Sequence, residues 1–118
     1  VENSDYSQEK WESIVSMLSQ KFADGEKLDL DGVLYLLGVR ELGGPVRKFK
    51  KDEKLDIFHI AICRVLSPWG YYRLIGLDQD GWPQYEKVSN LPPLKAGEQA
   101  TLMKMAIIRY FDEEGIAY

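Results

Sequence analysis

Three side chains in this chain have the types and spacing for acid–base or nucleophilic chemistry. Asp56, His59 and Cys63 stand at positions i, i+3 and i+7, so on a helix they share one face. A thiol beside an imidazole can ionise to a nucleophilic thiolate, with a carboxylate orienting the ring. The neighbours argue the other way. Phe58, Ile60, Ile62 and Val65 surround the group, and an apolar setting raises a thiol's pKa and makes it inert. No glycine-rich turn stands nearby to offer an oxyanion site. The expectation is a packed Cys63 with His59 at the polar edge of a core. An enzyme with a His59-centred site is the weaker alternative.

Metal chemistry lacks ligands. One histidine and one cysteine cannot fill a four-ligand zinc centre or form an intramolecular disulfide. Asp78-Gln79-Asp80-Gly81 opens like a calcium loop. Such a loop needs an oxygen ligand at its fifth position and a glutamate at its twelfth, and here those positions hold Trp82 and Ser89. Asp29, Asp31, Asp112, Glu113 and Glu114 read as helix caps and a solvated terminus. No G-x-G-x-x-G, phosphate-binding loop, G-x-S-x-G or H-E-x-x-H occurs. No cofactor, metal or catalytic residue is expected.

Recognition is the chemistry that remains. Trp69, Tyr71, Tyr72, Trp82 and Tyr85 fall close together, with Pro83, Pro92 and Pro93 among and after them. Tyr and Trp offer rigid contact area with a polar handle, which is why they concentrate at interfaces. Either one face of this segment packs on the helices and the other is covered by the Pro-rich connector, or an aromatic patch binds another chain or a second copy. Charge adds a second candidate surface. Residues 47–73 carry 7 bases and 3 acids, whereas the chain as a whole is at −4. Arg47, Lys48, Lys50, Lys51 and Lys54 open that basic stretch. It reads as a solvated loop entering a helix or as a docking patch for an acidic partner.

Those residues must be positioned by a small set of elements. The 118 residues are 45% hydrophobic and 12% aromatic, enough to build a core and to exclude disorder. They are expected to form one globular domain over 1–118, with 1–6 frayed. The longest apolar run, Val33 to Leu37, is far shorter than the ~18 residues a membrane span needs. A first helix is predicted from Gln8 to Ala23, capped by Ser7. Its apolar stripe is Trp11, Ile14, Val15, Leu18 and Phe22. Two further helices, 29–42 and 52–66, are apolar over most of their circumference and read as buried and central. Gly32 and Gly38 weaken the first of them by roughly 1 kcal/mol each, which signals close approach of neighbouring backbone. Gly43-Gly44-Pro45 stops it. A β-hairpin follows over 71–88, turning at Asp78–Gly81 with Gly81 in the left-handed region. A C-terminal helix spans 96–113, with Leu102, Met103, Ala106, Ile107, Tyr110 and Phe111 on its apolar face. The fold class is mainly α with one β-hairpin (α+β).

Three helices followed by a hairpin is also the order of a winged helix-turn-helix module. The third helix of such a module presents polar and basic groups to base edges. Here that helix offers only Asp56, His59 and Arg64 beyond its first turn, and the turn of the hairpin carries Asp78 and Asp80, which phosphates repel. Nucleic-acid binding is therefore an alternative resting mainly on the 47–54 basic run.

The string Asp29-Leu30-Asp31-Gly32-Val33-Leu34-Tyr35-Leu36-Leu37-Gly38-Val39-Arg40-Glu41-Leu42-Gly43 and the pair Gly81-Trp82-Pro83 resemble an uncharacterised family of short, acidic proteins from Bacteroidetes. The resemblance covers about Trp11 to Ile116. It implies a bacterial, cytosolic origin and carries over no catalytic residue. A lone free cysteine and the lack of a charged-then-apolar leader pattern point to the cytoplasm as well. The expected role is a non-enzymatic protein–protein interaction or regulatory module, with a protein partner or self-association through Trp69, Tyr71, Tyr72, Trp82, Tyr85, Arg47, Lys48, Lys50 and Lys51. No membrane partner is expected.

Overall fold

Six elements follow one another along the chain in a computed structural model that describes residues 7–44 and 47–118. They are α1 (Gln8–Phe22), α2 (Leu30–Leu42), α3 (Lys51–Leu66), β1 (Tyr72–Leu77), β2 (Pro83–Lys87) and α4 (Ala96–Glu114), with a 3-10 turn at Ser67–Trp69. This is the expected mainly helical α+β fold with one antiparallel hairpin. Residues 1–6, expected to fray, and Pro45 of the predicted stop lie outside the described residues. The chain divides into two compact units, one of 1–33 with 92–118 and one of 34–91.

In the first unit, the Ser7 hydroxyl accepts a hydrogen bond from Lys10 N at 3.1 Å and so caps α1. Trp11, Ile14, Val15 and Leu18 are buried, whereas Phe22 at the end of the predicted stripe is exposed. α4 answers with buried Met105, Ala106, Ile107, Ile108, Tyr110 and Phe111. The Lys104 ammonium lies 5.5 Å from the centre of the Trp11 ring. Buried Ser19 accepts from Leu28 N at 3.0 Å and ties down the loop after α1. Asp29 caps α2 by accepting from Gly32 N at 2.8 Å.

In the second unit, α3 packs on both strands of the hairpin. Leu34 and Leu37 of α2 and Ile57, Ile60, Ala61, Cys63, Val65 and Leu66 of α3 form its core. α3 also has an open side bearing Lys51, Asp52, Lys54, Leu55, Asp56 and His59. The two glycines of α2 have different reasons to be there. A Cβ on Gly38 would stand 2.3 Å from the Ile57 carbonyl oxygen, so here α2 and α3 do touch backbone to backbone. A Cβ on Gly32 would meet only Leu28 and Asp29, the residues of its own cap. Glu41 and Arg64 join the same two helices by an ion pair at 3.4 Å.

Neither α3 nor α4 begins on a Ser, Thr, Asp or Asn cap. In each, a glutamate in the first turn reaches back to the cap residue's amide: Lys50 N donates to Glu53 at 2.8 Å and Lys95 N to Glu98 at 3.1 Å. This satisfies an orphan donor and puts negative charge at the positive end of the helix. In the hairpin, Asp78 Oδ1 accepts from Asp80 N and Trp82 N, both at 2.9 Å, and Gly81 takes φ +83° as expected. The register runs Tyr72 to Lys87, Arg73 to Glu86, Leu74 to Tyr85, Gly76 to Gln84 and Leu77 to Pro83, with a bulge at Ile75.

Candidate functional site

The Cys63 Sγ lies 3.4 Å from His59 Nε2, as their spacing on α3 requires. The thiol has no exposed surface, and burial pushes its pKa up to about 11. His59 is exposed, and its ring meets Tyr72 edge-on at 6.3 Å. A cleft of about 270 Å³ between α3 and the hairpin takes in Asp56, His59, Asp78, Gln84 and Tyr85, but not the thiol. The Asp78 carboxylate in that cleft is already bonded to the turn. Burial, with the Glu41 carboxylate adding to it and Arg64 opposing it, pushes the Tyr85 hydroxyl up to about 12. The thiol and the phenol are therefore both protonated at neutral pH. Among the described residues, no group of three His, Cys, Asp or Glu side chains can hold a metal ion. No described helix is long and apolar enough to cross a membrane.

A second, larger cleft of about 410 Å³ is lined by Val39, Arg47, Phe49, Glu53, Asp80 and Trp82, among others. The Arg47 guanidinium donates to both Glu53 carboxylate oxygens, at 3.3 and 3.0 Å, and lies 4.3 Å from the centre of the Phe49 ring. Phe49 in turn meets Trp82 edge-on at 6.3 Å. The basic segment is thus divided. Arg47 is engaged by Glu53 and Phe49 of its own chain, while Lys48, Lys50 and Lys51 extend into the open. The Arg47 pair, helped by Lys50 N, lowers the Glu53 pKa from 4.5 to about 2. A carboxyl held below its unfolded value stabilises the fold above that value and loses the contribution as pH falls through the folded one. Thermal melts should therefore fall between about pH 4.5 and 2 more steeply in the wild type than in Glu53→Gln. Parallel curves across that window would remove the pair from the account.

The aromatic residues do not form an open patch. Trp69, Tyr71, Tyr72, Trp82 and Tyr85 are all half-buried. Instead, β1 places aliphatic side chains in the open: Leu74 is 53% exposed, Ile75 60% and Leu77 66%. Val88, just beyond β2, is 54% exposed. Residue type marks these side chains only as strand formers. The signal in the sequence is the run Leu74-Ile75-Gly76-Leu77 in a two-stranded sheet, which has too few neighbours to cover it. The second edge of β1 carries no strand among the described residues.

Comparisons of the chain with protein-family models, curated proteins and solved structures find no match.

Proposed function

We propose that the chain is a non-enzymatic protein–protein interaction module that docks through its hairpin, with the exposed lysines of 47–54 as a second, polar contact surface. The observation that carries this reading is the exposure of Leu74, Ile75 and Leu77 on a strand whose second edge carries no strand among the described residues. Unpaired amides and carbonyls beside apolar side chains form a template for another strand, and natural proteins usually blunt such edges. A bacterial, cytoplasmic setting belongs to the same proposal. The rival readings have less support. The helix that would read DNA is partly covered by the hairpin, and its open side mixes Asp52 and Asp56 with Lys51 and Lys54. Beside His59, the Cys63 thiol and the Tyr85 phenol are both protonated at neutral pH.

Photo-crosslinking in cells tests the proposal. A benzophenone amino acid at Leu77 of the full chain should yield a covalent adduct of higher mass, to another copy or to a different protein. The same probe at exposed Lys21 should not. Equal yields at the two positions, or no adduct at Leu77, would overturn the reading.

A further inference from the structure

The geometry points to a two-fold homodimer in which β1 pairs antiparallel with β1 of a second copy, with Arg73 opposite Asp78, Leu74 opposite Leu77 and Ile75 opposite Gly76. This rests on the interaction reading above and names its partner.

The stretch Arg73-Leu74-Ile75-Gly76-Leu77-Asp78 is complementary to itself when reversed. Base meets acid at each end, leucine meets leucine next, and isoleucine meets glycine at the centre. Opposite charges and apolar pairs directly across an antiparallel ladder each add stability. The shape agrees with the order of residues. A Cβ on Gly76 would find nothing within 4 Å, so the space above it is open to an Ile75 side chain from outside.

The bulge makes the register possible. Leu74 pairs with Tyr85 and Leu77 with Pro83, and Tyr85 and Pro83 are two apart on β2. Leu74 and Leu77 therefore share a face although they are three apart on β1. The backbone agrees. The Tyr71 carbonyl accepts from Val88 N and Asp78 N donates to Trp82 O, so Tyr71 and Asp78 point their groups at β2. Counting outward from each by alternation leaves the amides and carbonyls of Leu74 and Leu77 on the free edge. In the proposed register those two residues meet across the two-fold. Both copies carry the same extra residue, so the two bulges face each other and the ladder stays in step.

The end charges are available for this. Arg73 already donates to Glu86 across the hairpin, but a guanidinium has further N–H groups to offer. Asp78 Oδ1 is taken up by the turn, whereas Oδ2 accepts only a long contact of 3.4 Å from Gln84 among the contacts described. A two-fold pairing of this kind is isologous and closed, so it ends at the dimer.

Sedimentation velocity on the purified full chain tests the inference. Across the micromolar range the wild type should shift from 13.6 kDa to twice that mass. Leu74→Lys and Leu77→Glu should each weaken self-association at least tenfold. Both positions are more than half exposed, and unchanged circular dichroism would show that each variant folds. An equimolar mixture of the two variants should regain the dimer. In the mixed pair the introduced lysine faces the introduced glutamate at one crossing, and the two leucines left in place face each other at the other. A wild type that stays monomeric, variants that dimerise like the wild type, or a mixture that stays monomeric each overturns the inference. Monomers in solution together with a Leu77 crosslink to a protein of another mass would reject self-pairing and keep the interaction reading. No adduct at all would reject both.

Discussion

Replacing Gly38 with alanine should destabilise the protein by about 3 kcal/mol, a lowering of the thermal midpoint by roughly 10 °C. In an exposed helix the same change would stabilise by up to about 1 kcal/mol, since alanine is the better helix former. Contact with α3 reverses the sign. The new methyl would stand 2.3 Å from the Ile57 carbonyl oxygen, 2.6 Å from Ile57 Cγ2 and 3.0 Å from the carbonyl carbon. Two of these three atoms are backbone, so no change of rotamer relieves the clash. The helices must separate, which loosens the packing of Leu34, Leu37 and Ile60 and strains the Glu41–Arg64 pair. Gly97 in the first turn of α4 is the control. A Cβ there meets nothing within 4 Å, so Gly97→Ala should leave the midpoint unchanged or slightly higher. Thermal melts followed by circular dichroism decide it. A Gly38→Ala midpoint at or above the wild-type value would show that α2 and α3 are not in backbone contact.

The same glycine marks how far the sequence could be read. Two glycines inside an apolar helix signal close backbone approach, and at Gly38 that is what the fold contains. At Gly32 the signal is ambiguous, because a glycine one turn into a helix also accommodates a side-chain cap, and Asp29 is such a cap. Spacing of 3.6 locates α1 because it buries one stripe; α4 instead buries Met105, Ala106, Ile107 and Ile108 in succession, and Leu102 and Met103 of its predicted face are only half-buried. The hairpin turn is legible because an aspartate that bonds two amides and a glycine with positive φ serve one function there. Long-range pairing is not legible. Arg47 and Glu53 are six apart, across the junction of loop and helix, where no periodic rule joins them. The helix starts at Lys50 and Lys95 lack a cap residue and are marked only by the glutamate three positions later.

The candidate surface shows the same limit from the other side. Residue type favours the tyrosines and tryptophans, since those residues dominate known interfaces. Coverage decides otherwise. An aromatic side chain on a hairpin beside a helix has a long reach and folds back onto that helix, as Tyr72 does onto His59. Shorter leucines and an isoleucine on the same strand stay in the open. Alternation predicts which residues share a face, but the bulge at Ile75 changes that alternation, and a one-residue shift has no marker in the sequence except the neighbouring Gly76. The feature that makes β1 self-complementary is therefore the one that sequence periodicity conceals.

Cys63 in the folded protein should react with thiol reagents at least about a hundredfold more slowly than in the unfolded chain at pH 8. Two separate factors act in the same direction. Burial raises the thiol from 9.0 to about 11, which alone reduces the thiolate fraction about a hundredfold at that pH. The side chain also has no exposed surface, so a reagent must wait for local opening. His59 does not counteract this. Its Nε2 is 3.4 Å from the sulfur, but an imidazolium–thiolate pair would hold the thiol below its ordinary value, and burial moves it the other way. His59→Ala should therefore leave the labelling rate unchanged within a factor of about two, whereas an activated pair would lose most of its rate. The stability consequence has a definite sign. The unfolded thiol ionises first as pH rises, so its contribution is present below about pH 9 and declines toward pH 11. A labelling rate that levels off below pH 7, or that falls sharply in His59→Ala, would restore a His59-centred enzyme. It would also demote the hairpin edge from the functional surface to an incidental one.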